Sequence, residues 1–479
     1  MGMYIPTIGL EIHAELKTKT KMFCRSANDP FNAEPNTHVC PVCMGHPGAL
    51  PVINEEAVRH VLRVGIALEG QFADYTEFDR KNYFYADQPK GYQLSQYEYP
   101  LVSGGALHGV AITRVHLEED TASSIHEEGV GTVVDYNRSG VPLMELVTEP
   151  VITSSKQAGD FARELQLLLR YLGASEANME KGEMRVEANI SISRDEKRGT
   201  KVEVKNLNSF RAMERAIEHE IKRQESLLAR GENIVQETLG WDEAKQATFS
   251  QRAKEGSADY RYFPDPDLPS LRLSELAAFD AGTIRQTMPE IPAVRRARYM
   301  ALGVKQQDAD SFVKTRILGD FFEEVIRGHQ DDRKWVSTAS NYIANDLVPY
   351  LRDTESRDTE VSGEIQITPE NFAKIIDLLS SGTVASSMAK DILARSVSGA
   401  MDPMLVAKES GYLVSISRSD LEKIVSDVLE SNAAVVADYK AGKEAAIQYL
   451  VGMVMKSSKG KAVPQAAREC ILRLIAAHE

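Results

Sequence analysis

The chain has 479 residues, of which 43% are hydrophobic and 26% charged, and its formal net charge is −14. This length exceeds a single hydrophobic core and predicts two to four domains. The negative charge argues against a protein that coats nucleic acid by bulk electrostatics, but it leaves room for a local basic patch or a nucleotide bound with Mg²⁺.

The sequence predicts a location in the cytoplasm and no contact with a membrane. No apolar run approaches the roughly 20 residues of a membrane span. The N-terminus lacks the basic and apolar pattern of a secretory signal. Four unevenly spaced cysteines do not form a disulfide framework, which favours a reducing compartment.

The segment 7–16 alternates between apolar and charged residues, which predicts a strand. The apolar side chains are Ile8, Leu10, Ile12 and Leu16, and the charged or imidazole side chains are Glu11, His13 and Glu15. The second group would share one face, spaced roughly 6.5–7 Å apart, as suits a metal–phosphate site. The alternative is a face that is simply solvated.

Three cysteines lie in a loop rich in proline, asparagine and glycine. Cys40 and Cys43 form a C-x-x-C pair, and Cys24 precedes them, a pattern that predicts a zinc knuckle. The fourth ligand would come from His38, His46 or Asp29. The alternative is that the three cysteines are ordinary thiols.

The segment 79–96 combines tyrosines, lysines and amides around a Pro-Lys-Gly turn. Aromatic faces suit a nucleotide base, and cations such as Lys81 suit its phosphates. A tyrosine-rich surface hairpin would have the same composition.

Two further strands, 111–120 and 141–149, carry carboxylates. The first ends in Glu118, Glu119 and Asp120, and the second holds Glu145 in an apolar run, where a carboxylate is costly unless it is paired or bound to a metal. With Glu11 and His13, three strands would therefore supply oxygen and imidazole ligands of the kind that Mg²⁺ uses beside phosphates.

The segment 184–205 alternates as a hairpin that turns at 194–199. Its polar faces carry Arg185, Asn189 and Lys205, which suit phosphate or acyl oxygens. A ladder of cross-strand ion pairs is the alternative.

Helical patterns dominate after residue 292. We predict helices over 294–302, 308–329, 332–351, 369–380 and 385–395, and a small helical unit from about residue 402. In that unit a Gly/Ser loop carries Lys456, Lys459 and Lys461, a local anion patch or, equally, a solvated loop.

Seven motifs, in fixed order and nearly from end to end, give the chain a family resemblance. They are IGLEIHAEL (8–16), DRKNYFYADQPKGYQLSQ (79–96), RVHLEED (114–120), RSGVPLMELVTEP (138–150), KVEVKNLNSF (201–210), DYRYFPDPDLP (259–269) and KSSKGKAVP (456–464). With these motifs the chain resembles the GatB family, the B subunits of glutamine-dependent aspartyl/glutamyl-tRNA amidotransferases (GatCAB).

The resemblance implies an α+β fold in three parts. These are a β-rich cradle domain with a glutamine synthetase-like core (1–293), an all-α helical domain (294–401) and a helical YqeY-like tail that binds tRNA (402–479). It implies a carbon–nitrogen ligase in a heterotrimer with a glutaminase subunit, GatA, and a small subunit, GatC.

The implied chemistry uses ATP and Mg²⁺ to phosphorylate the side-chain carboxylate of Glu-tRNA(Gln) or Asp-tRNA(Asn). Ammonia from the partner glutaminase then displaces the phosphate. The alternative is a non-catalytic subunit that holds tRNA and partners, against which the Glu/His/Glu constellation argues.

The resemblance also implies roles for individual residues. The catalytic and Mg²⁺-binding candidates are Glu11, His13, Glu119 and Glu145. Glu118 and Asp120 are less favoured, because neighbours on a strand point to opposite faces. The candidates for ATP or acyl contacts are Lys81, Arg185, Asn189 and Lys205, and those for tRNA are Lys456, Lys459 and Lys461. Where zinc-bearing members have a C-x-C pair, this chain has Ser26 after Cys24, so its zinc site is degenerate.

Overall fold

The computed structural model describes residues 4–127, 129, 131–195, 197–253, 257–351, 365–413, 418–458, 462 and 464–477. The α+β class predicted from the sequence is confirmed in its coarser form, as a mixed fold with one large sheet and many helices. The chain divides into two compact units, Met1–Pro292 and Ala293–Glu479. Within the described residues, every helix is too short or too polar to span a lipid bilayer.

The first unit contains the strands of the protein. They are β1 (Ile5–Glu15), β2 (Gln71–Phe72), β3 (Tyr75–Thr76), β4 (Asp79–Asn82), β5 (Tyr92–Ser95), β6 (Val102–Ser103), β7 (Ala106–Leu107), β8 (Val110–Glu119), β9 (Ser123–Glu127), β10 (Gly131–Asp135), β11 (Pro142–Thr148), β12 (Met184–Ser193), β13 (Val202–Leu207), β14 (Glu237–Asp242), β15 (Ala247–Ala253), β16 (Phe263–Pro264) and β17 (Leu271–Arg272).

The large sheet has the order β15-β14-β13-β12-β1-β11-β8-β6-β2, and β7 pairs with β8 outside this path. Only the β13–β14 pair within this sheet of described strands is parallel. β1 lies near the middle of the sheet and pairs with β12 on one side and β11 on the other, so its side chains lie beside those of both strands. A smaller sheet, β16-β4-β5, carries the tyrosine-rich segment.

The alternation predicted for β1 is confirmed. Ile8, Leu10 and Ile12 are almost completely buried on one face of the sheet, and Glu11 and His13 lie on the other. Burying an Ile or Leu side chain contributes about 1.5–3 kcal/mol, which fixes the register, because a shift of one residue would bury the charged set instead.

Helices cover the apolar face: α1 (Glu55–Ala67), α2 (Ser155–Tyr171) and α3 (Phe210–Ala229), followed by the shorter α4 (Ala281–Gln286). The first three begin at capping side chains. Asn54 accepts hydrogen bonds from backbone N–H groups of α1, and Ser154 and Ser209 do the same for α2 and α3. Such caps satisfy N–H groups that have no partner inside the helix.

The second unit is helical. Its helices are α5 (Pro292–Ala301), α6 (Gln306–Lys314), α7 (Arg316–Val325), α8 (Arg333–Tyr342), α9 (Pro369–Ser380), α10 (Ser386–Gly399), α11 (Pro403–Glu409), α12 (Arg418–Ser431), α13 (Ala433–Lys440), α14 (Ala445–Ser457) and α15 (Pro464–Ala477). Val425, Leu450 and Ile471 are among the buried residues of a core formed by α12, α14 and α15.

Two predicted helices of this unit are wrong in extent. The helix over 308–329 is broken at Thr315, whose backbone leaves the helical region with φ −106° and ψ 88°. The regular helix predicted over 332–351 ends at Tyr342 and continues as a π-helical turn, Ile343–Leu347, and a 3₁₀ turn, Val348–Tyr350. Pro349 cannot donate the backbone hydrogen bond that a continued helix requires.

Candidate active site

The polar face of the large sheet gathers histidines and carboxylates from three adjacent strands. His13 on β1 lies opposite Glu145 on β11, and Glu145 lies opposite His116 on β8. Glu118 follows two residues after His116 and therefore points to the same face. We call these four residues the acidic–histidine cluster.

The side chains of this cluster are in close contact. His13 Nε2 is 3.4 Å from a Glu145 oxygen and 3.5 Å from a Glu118 oxygen, and His116 Nε2 is 3.3 Å from Glu145. Glu118, Glu145 and His116 are each at most 7% exposed. Among the described residues, His116 Nδ1 is buried without a hydrogen-bond partner.

The environment shifts the pKa values of the cluster in opposite directions. Burial opposes a charge on His13, but the hydrogen bond to Glu145 and the nearby carboxylates raise its pKa to about 9. Burial opposes a charge on Glu145 as well, and the two histidines hold its pKa well below the usual range. Opposed shifts of this kind in a cleft are typical of functional sites.

The structure corrects the placement of Glu119. Its carboxylate pairs with Lys90 and accepts the backbone N–H of Leu94, away from His13 and Glu145. Consecutive strand residues point to opposite faces, and the pairing of β8 with β11 puts Glu118 on the site's face. The preference for Glu119 over Glu118 as a partner of His13 and Glu145 is therefore wrong.

A second group of acids, the carboxylate triad, is formed by Glu11, Glu187 and Glu203, each of which offers an oxygen within 4.8 Å of the others. Glu11 and Glu187 lie directly opposite each other on β1 and β12, an arrangement that is repulsive for like charges. Burial, and then the neighbouring carboxylates, raise the pKa of Glu11.

The hairpin cations and amides lie beside this triad. Lys205 Nζ is 2.8 Å from a Glu187 oxygen and 3.9 Å from a Glu203 oxygen. Asn189 Nδ2 donates to Glu11 at 3.0 Å. The structure thus brings these two predicted residues to the same face as Glu11 and His13.

Both groups contribute to the lining of one cavity of about 490 Å³, and Glu118 contacts His13 without itself lining the cavity. Its lining is mostly polar: Glu11, His13, Lys81, Ser95, Gln96, Tyr97, Arg114, His116, Glu145, Glu187, Lys201, Glu203, Lys205, Gln236, Thr238, Tyr260 and Tyr262. This is the size of a small-molecule site, and its many convergent charged groups mark it as the candidate active site.

Aromatic side chains form one side of the cavity. The rings of Tyr97 and Tyr262 are stacked, with centroids 4.4 Å apart, and Lys81 Nζ lies 5.0 Å from the ring centroid of Tyr260. We call Tyr97, Tyr260 and Tyr262 the tyrosine wall. Burial opposes a charge on Lys81, but Glu118 and other anionic neighbours raise its pKa.

A buried ion pair ties the tyrosine wall to the β4–β5 hairpin. Arg80 Nε donates to Asp265 at 2.6 Å, and the Asp265 side chain is completely buried. Next to it, Asn82 donates to the carbonyl of Arg261 at 2.9 Å. The segment that carries Tyr260 and Tyr262 is thereby held against the strand that carries Lys81.

Arg185 has a different environment from the other predicted contact residues. Its guanidinium donates to both oxygens of Asp120 at 2.9 Å and is absent from the cavity lining. Asp120 first, by its charge, raises the pKa of Arg185. Because Arg185 is ion-paired with Asp120, it holds the end of β8 in place. Lys81 and Lys205, unlike Arg185, line the cavity.

Cys24, Cys40 and Cys43, which we call the thiol cluster, lie together, with all sulfur atoms within 4.8 Å of one another. A hydrogen bond from Cys24 and then the charge of Lys21 lower the pKa of Cys43 to about 5. None of the described residues proposed as a fourth zinc ligand joins this group. His38 Nδ1 contacts the carbonyl of Asp29, 3.2 Å away.

The predicted tRNA-binding loop is described only in part. Lys456 is exposed in the last turn of α14. Lys459 and Lys461 lie outside the described residues.

The donor sets suit different ions. Around an ion with metal–ligand distances of about 2.1 Å, adjacent ligands lie about 3 Å apart and opposite ones about 4.2 Å apart. The 3.4 and 3.5 Å separations around His13 fall in this range. Carboxylate and imidazole groups therefore fit a divalent cation, whereas the thiol cluster supplies three of the four ligands of a structural zinc.

Sequence reasoning missed His116, Glu187, Glu203 and the tyrosines of 260–262 as site residues. A signal for His116 was present, because it alternates with Val115 and Leu117 in the same phase as Glu118. Glu187 and Glu203 carried no distinguishing signal, since alternating charged residues occur on any half-exposed hairpin.

The fold and the site together define a two-unit protein with a large sheet, a helical second part and an acidic, histidine-containing cavity. Residues 6–278 match the family model described as the GatB/GatE catalytic domain, and residues 320–475 match the GatB domain.

Three relatives are each named as the B subunit of aspartyl/glutamyl-tRNA(Asn/Gln) amidotransferase. The protein of Thermomicrobium roseum is 44% identical, with 97% of each chain covered. That of Thermotoga maritima is 40% identical, covering 98% of this chain and 99% of its own. That of Carboxydothermus hydrogenoformans is 39% identical, with 98% of each covered. The chain belongs to the GatB family of amidotransferase B subunits.

Proposed function

We propose that this chain is the B subunit of a tRNA-dependent amidotransferase, a carbon–nitrogen ligase. It phosphorylates the side-chain carboxylate of Glu-tRNA(Gln) or Asp-tRNA(Asn) with ATP, and ammonia then displaces the phosphate to give the amide. The observation that carries this proposal is the pair of acidic groups around one cavity, with Lys81 and Lys205 beside them.

The chemistry requires activation because a free carboxylate would have to expel oxide. Transfer of the γ-phosphoryl group converts that oxygen into phosphate, a far better leaving group. Phosphoryl transfer depends mainly on positioning and on neutralising negative charge. The cavity holds groups for both tasks.

We assign a divalent cation, Mg²⁺, to His13, Glu118 and Glu145, and a second cation to the carboxylate triad of Glu11, Glu187 and Glu203. Mg²⁺ supplies positive charge that offsets the phosphate oxygens when it is bound. His116 contacts Glu145 from the far side and orients that carboxylate toward His13, as outer hydrogen-bonding partners orient metal ligands.

Lys81 and Lys205 are the cationic contacts for the phosphate or the acyl oxygens in this proposal. Lys205 is held by Glu187, which keeps its ammonium at the edge of the cavity. Asn189 fixes Glu11 by its side-chain amide. The tyrosine wall supplies flat surfaces for a base or ribose and displaces water from the reacting groups.

The domain division predicted from the sequence completes the proposal. Residues 1–293 form the cradle, with a glutamine synthetase-like core, 294–401 the helical domain and 402–479 the YqeY-like tail, which binds tRNA through Lys456, Lys459 and Lys461. The partners are a glutaminase subunit, GatA, and a small subunit, GatC, in the cytoplasm. The thiol cluster would bind zinc only through Cys24, Cys40, Cys43 and a further ligand from solvent or elsewhere.

The test reconstitutes the chain with GatA and GatC and follows ATP-dependent conversion of Glu-tRNA(Gln) and Asp-tRNA(Asn) separately. We expect amide and inorganic phosphate to form in equal amounts, with Glu118→Gln failing in both. Full activity of the Glu118→Gln complex would contradict the assignment of Glu118 to the catalytic site.

A further inference from the structure

Arg114 is the one arginine among the described residues that line the cavity, and the assignments made so far give it no role. It lies on β8 two residues before His116, so its side chain points to the same face of the sheet as the acidic–histidine cluster. The side chain is 32% exposed, which places its charge at the surface of the cavity rather than in the core.

The guanidinium group of Arg114 is poorly satisfied by the protein. Among the described residues, its Nε is buried without a hydrogen-bond partner, and its ion pair with Glu145 is 3.9 Å long, beyond hydrogen-bond distance. By contrast, Arg185 donates to both oxygens of Asp120 at 2.9 Å. A guanidinium group carries five N–H donors, so Arg114 has donors available for a ligand.

The pairing of the strands places Arg114 across the polar face of the sheet from the carboxylate triad. Arg114 on β8 lies opposite Val147 on β11, and Val147 lies opposite Glu11 on β1. Neighbouring strands are about 4.8 Å apart, so roughly 10 Å separates the backbones of Arg114 and Glu11, with an apolar residue between them. His13 and Glu145 lie opposite each other on the same two strands as Glu11 and Val147. An anion held over Val147 would be flanked by both sites assigned to cations and by Arg114.

The position of Arg114 beside a metal-ligand candidate indicates which anion it would bind. A guanidinium group beside Glu145 repels a cation on that carboxylate unless an anion lies between them. The anion that the proposed reaction brings to Mg²⁺ is a phosphate group. The planar donors of arginine contact two phosphate oxygens at once, whereas an ammonium group acts as a point charge. The chemistry of Arg114 therefore fits phosphate oxygens.

We propose that Arg114 is a catalytic residue of the phosphoryl transfer and donates hydrogen bonds to the γ-phosphate oxygens of ATP in the transition state. In this step an oxygen of the substrate carboxylate forms a bond to the γ-phosphorus, the bond from that phosphorus to the bridging oxygen breaks, and ADP leaves with the electron pair. Arg114 transfers no proton, because its guanidinium group stays charged. The inference rests on the proposed function and adds a residue to its site.

The first test separates catalysis from binding in the complex with GatA and GatC. Arg114→Met should lower kcat for ATP-dependent amide formation about 100- to 1,000-fold and change KM for ATP less than about threefold, because the contact strengthens in the transition state. Arg114→Lys should recover part of the rate, since it keeps the charge but loses the paired donors. Arg215→Met is the matched control, because Arg215 lies on α3 and pairs with Glu243 at 3.1 Å, and it should leave kcat unchanged.

The second test requires no turnover. Binding of ADP together with aluminium fluoride, which imitates the transferring phosphoryl group, is compared with binding of ADP alone, in the presence of Mg²⁺ and the charged tRNA. Aluminium fluoride should tighten ADP binding to the unmodified complex. Arg114→Met should remove about 30-fold of that tightening, as expected for hydrogen bonds to a charged group, while its affinity for ADP alone stays within about threefold. A merely structural role beside Glu145 would leave the tightening in the folded complex unchanged.

The outcomes distinguish this inference from the proposed function. An unmodified complex that forms no amide from either charged tRNA would overturn both. An active complex in which Arg114→Met keeps its kcat and its tightening by aluminium fluoride would overturn only the role of Arg114. A raised KM for ATP at unchanged kcat would also overturn that role, since it would make Arg114 a contact of the ground state. Should Arg114→Met fail to fold, an Arg114→Lys complex equal to the unmodified one in both tests would overturn the role.

Discussion

Two groups of charged side chains, one in each unit, show opposite arrangements. In the second unit, Arg295 donates to Asp320 at 2.5 Å and to Tyr299 at 2.6 Å, and Glu323 accepts from both Arg295 and Arg298 at 2.8 Å. At the cavity of the first unit, carboxylates form two close groups, Glu118 with Glu145 and Glu11 with Glu187 and Glu203.

The difference lies in the balance of charge. The Arg295 network matches cations with anions, and burial of Glu323 is offset by Tyr299 and the two arginines, which lower its pKa. In the carboxylate triad at the cavity, by contrast, three like charges lie within 4.8 Å of one another, and burial raises the pKa of Glu11. A balanced network of ion pairs stabilises a fold, whereas a crowded group of like charges marks a place where a ligand is expected to complete the charge balance.

The largest effects should come from changing, one at a time, the two neighbouring glutamates at the end of β8, Glu118 and Glu119. Glu118→Gln should lower ATP-dependent amide formation by about 100- to 1,000-fold, because it removes charge stabilisation at the site. Glu119→Gln should instead lower the free energy of unfolding by about 3–5 kcal/mol, since it leaves the largely buried ammonium group of Lys90 unpaired. Activity per folded molecule and chemical denaturation would be measured for both. Equal losses of activity in the folded proteins would show that our distinction between the two faces is wrong.

The unbalanced group should also give the metal-free chain a distinctive pH dependence. The pKa of His13 is raised from 6.5 to about 9, so its protonated form stabilises the fold. This contribution is fully present below about pH 6.5 and is lost as the pH rises through 9, a change of about 3 kcal/mol. Denaturation with chelator across this range should show the loss, and His13→Gln should flatten it. An unchanged pH profile in His13→Gln would assign the titration to another group.

The balanced group should respond in stability alone. Arg295→Met should cost about 2 kcal/mol, less than a fully buried pair, because Asp320 is 57% exposed and Glu323 34% exposed. We expect the metal affinity of the folded protein to be unchanged. Arg316→Met, which removes an exposed partner of Asp320 at 3.8 Å, is the matched control and should have little effect. A comparable loss in both variants would contradict the importance of burial.

The smallest effect should come from the lysines of the tail. Replacing Lys456, Lys459 and Lys461 by alanine should weaken tRNA binding by about 1 kcal/mol and reduce the salt dependence by about two ion equivalents. Lys443→Ala, whose lysine is ion-paired with Asp438 at 2.9 Å, is the control. Binding would be compared across salt concentrations. Identical slopes for the triple variant and the unmodified complex would show that tRNA is held elsewhere.

Much of the central sheet could be predicted because its register follows from alternation. Burial of Ile8, Leu10 and Ile12 places Glu11 and His13 on the other face without further information. The same logic, applied to β8, would have favoured Glu118 over Glu119, since Glu119 shares its phase with the apolar Val115 and Leu117. The error came from taking Glu119 from the resemblance as the reference, so that the alternation rule then set Glu118 aside.

Other parts of the site depend on long-range pairing that local patterns do not contain. Glu203 reaches Glu11 only because β13 pairs with β12, and β12 with β1. The ion pair between Arg185 and Asp120 could not be predicted either, because the two residues are 65 positions apart in the chain. The helix break at Thr315 likewise has no glycine or proline at that position that would have predicted it.

The ion pair between Arg80 and Asp265 has a consequence for the order in which the nascent chain can fold. The tyrosine wall takes Tyr97 from the early part of the sequence and Tyr260 and Tyr262 from much later, and the two parts are joined across 185 positions. A ribosome adds about 5–20 residues per second, and N-terminal segments fold first. The strands that carry His13, Glu118 and Glu145 therefore emerge well before the wall can close over them. During that interval these strands have been made but the tyrosine wall has not, so enclosure of the cavity is a late event in the synthesis of the chain.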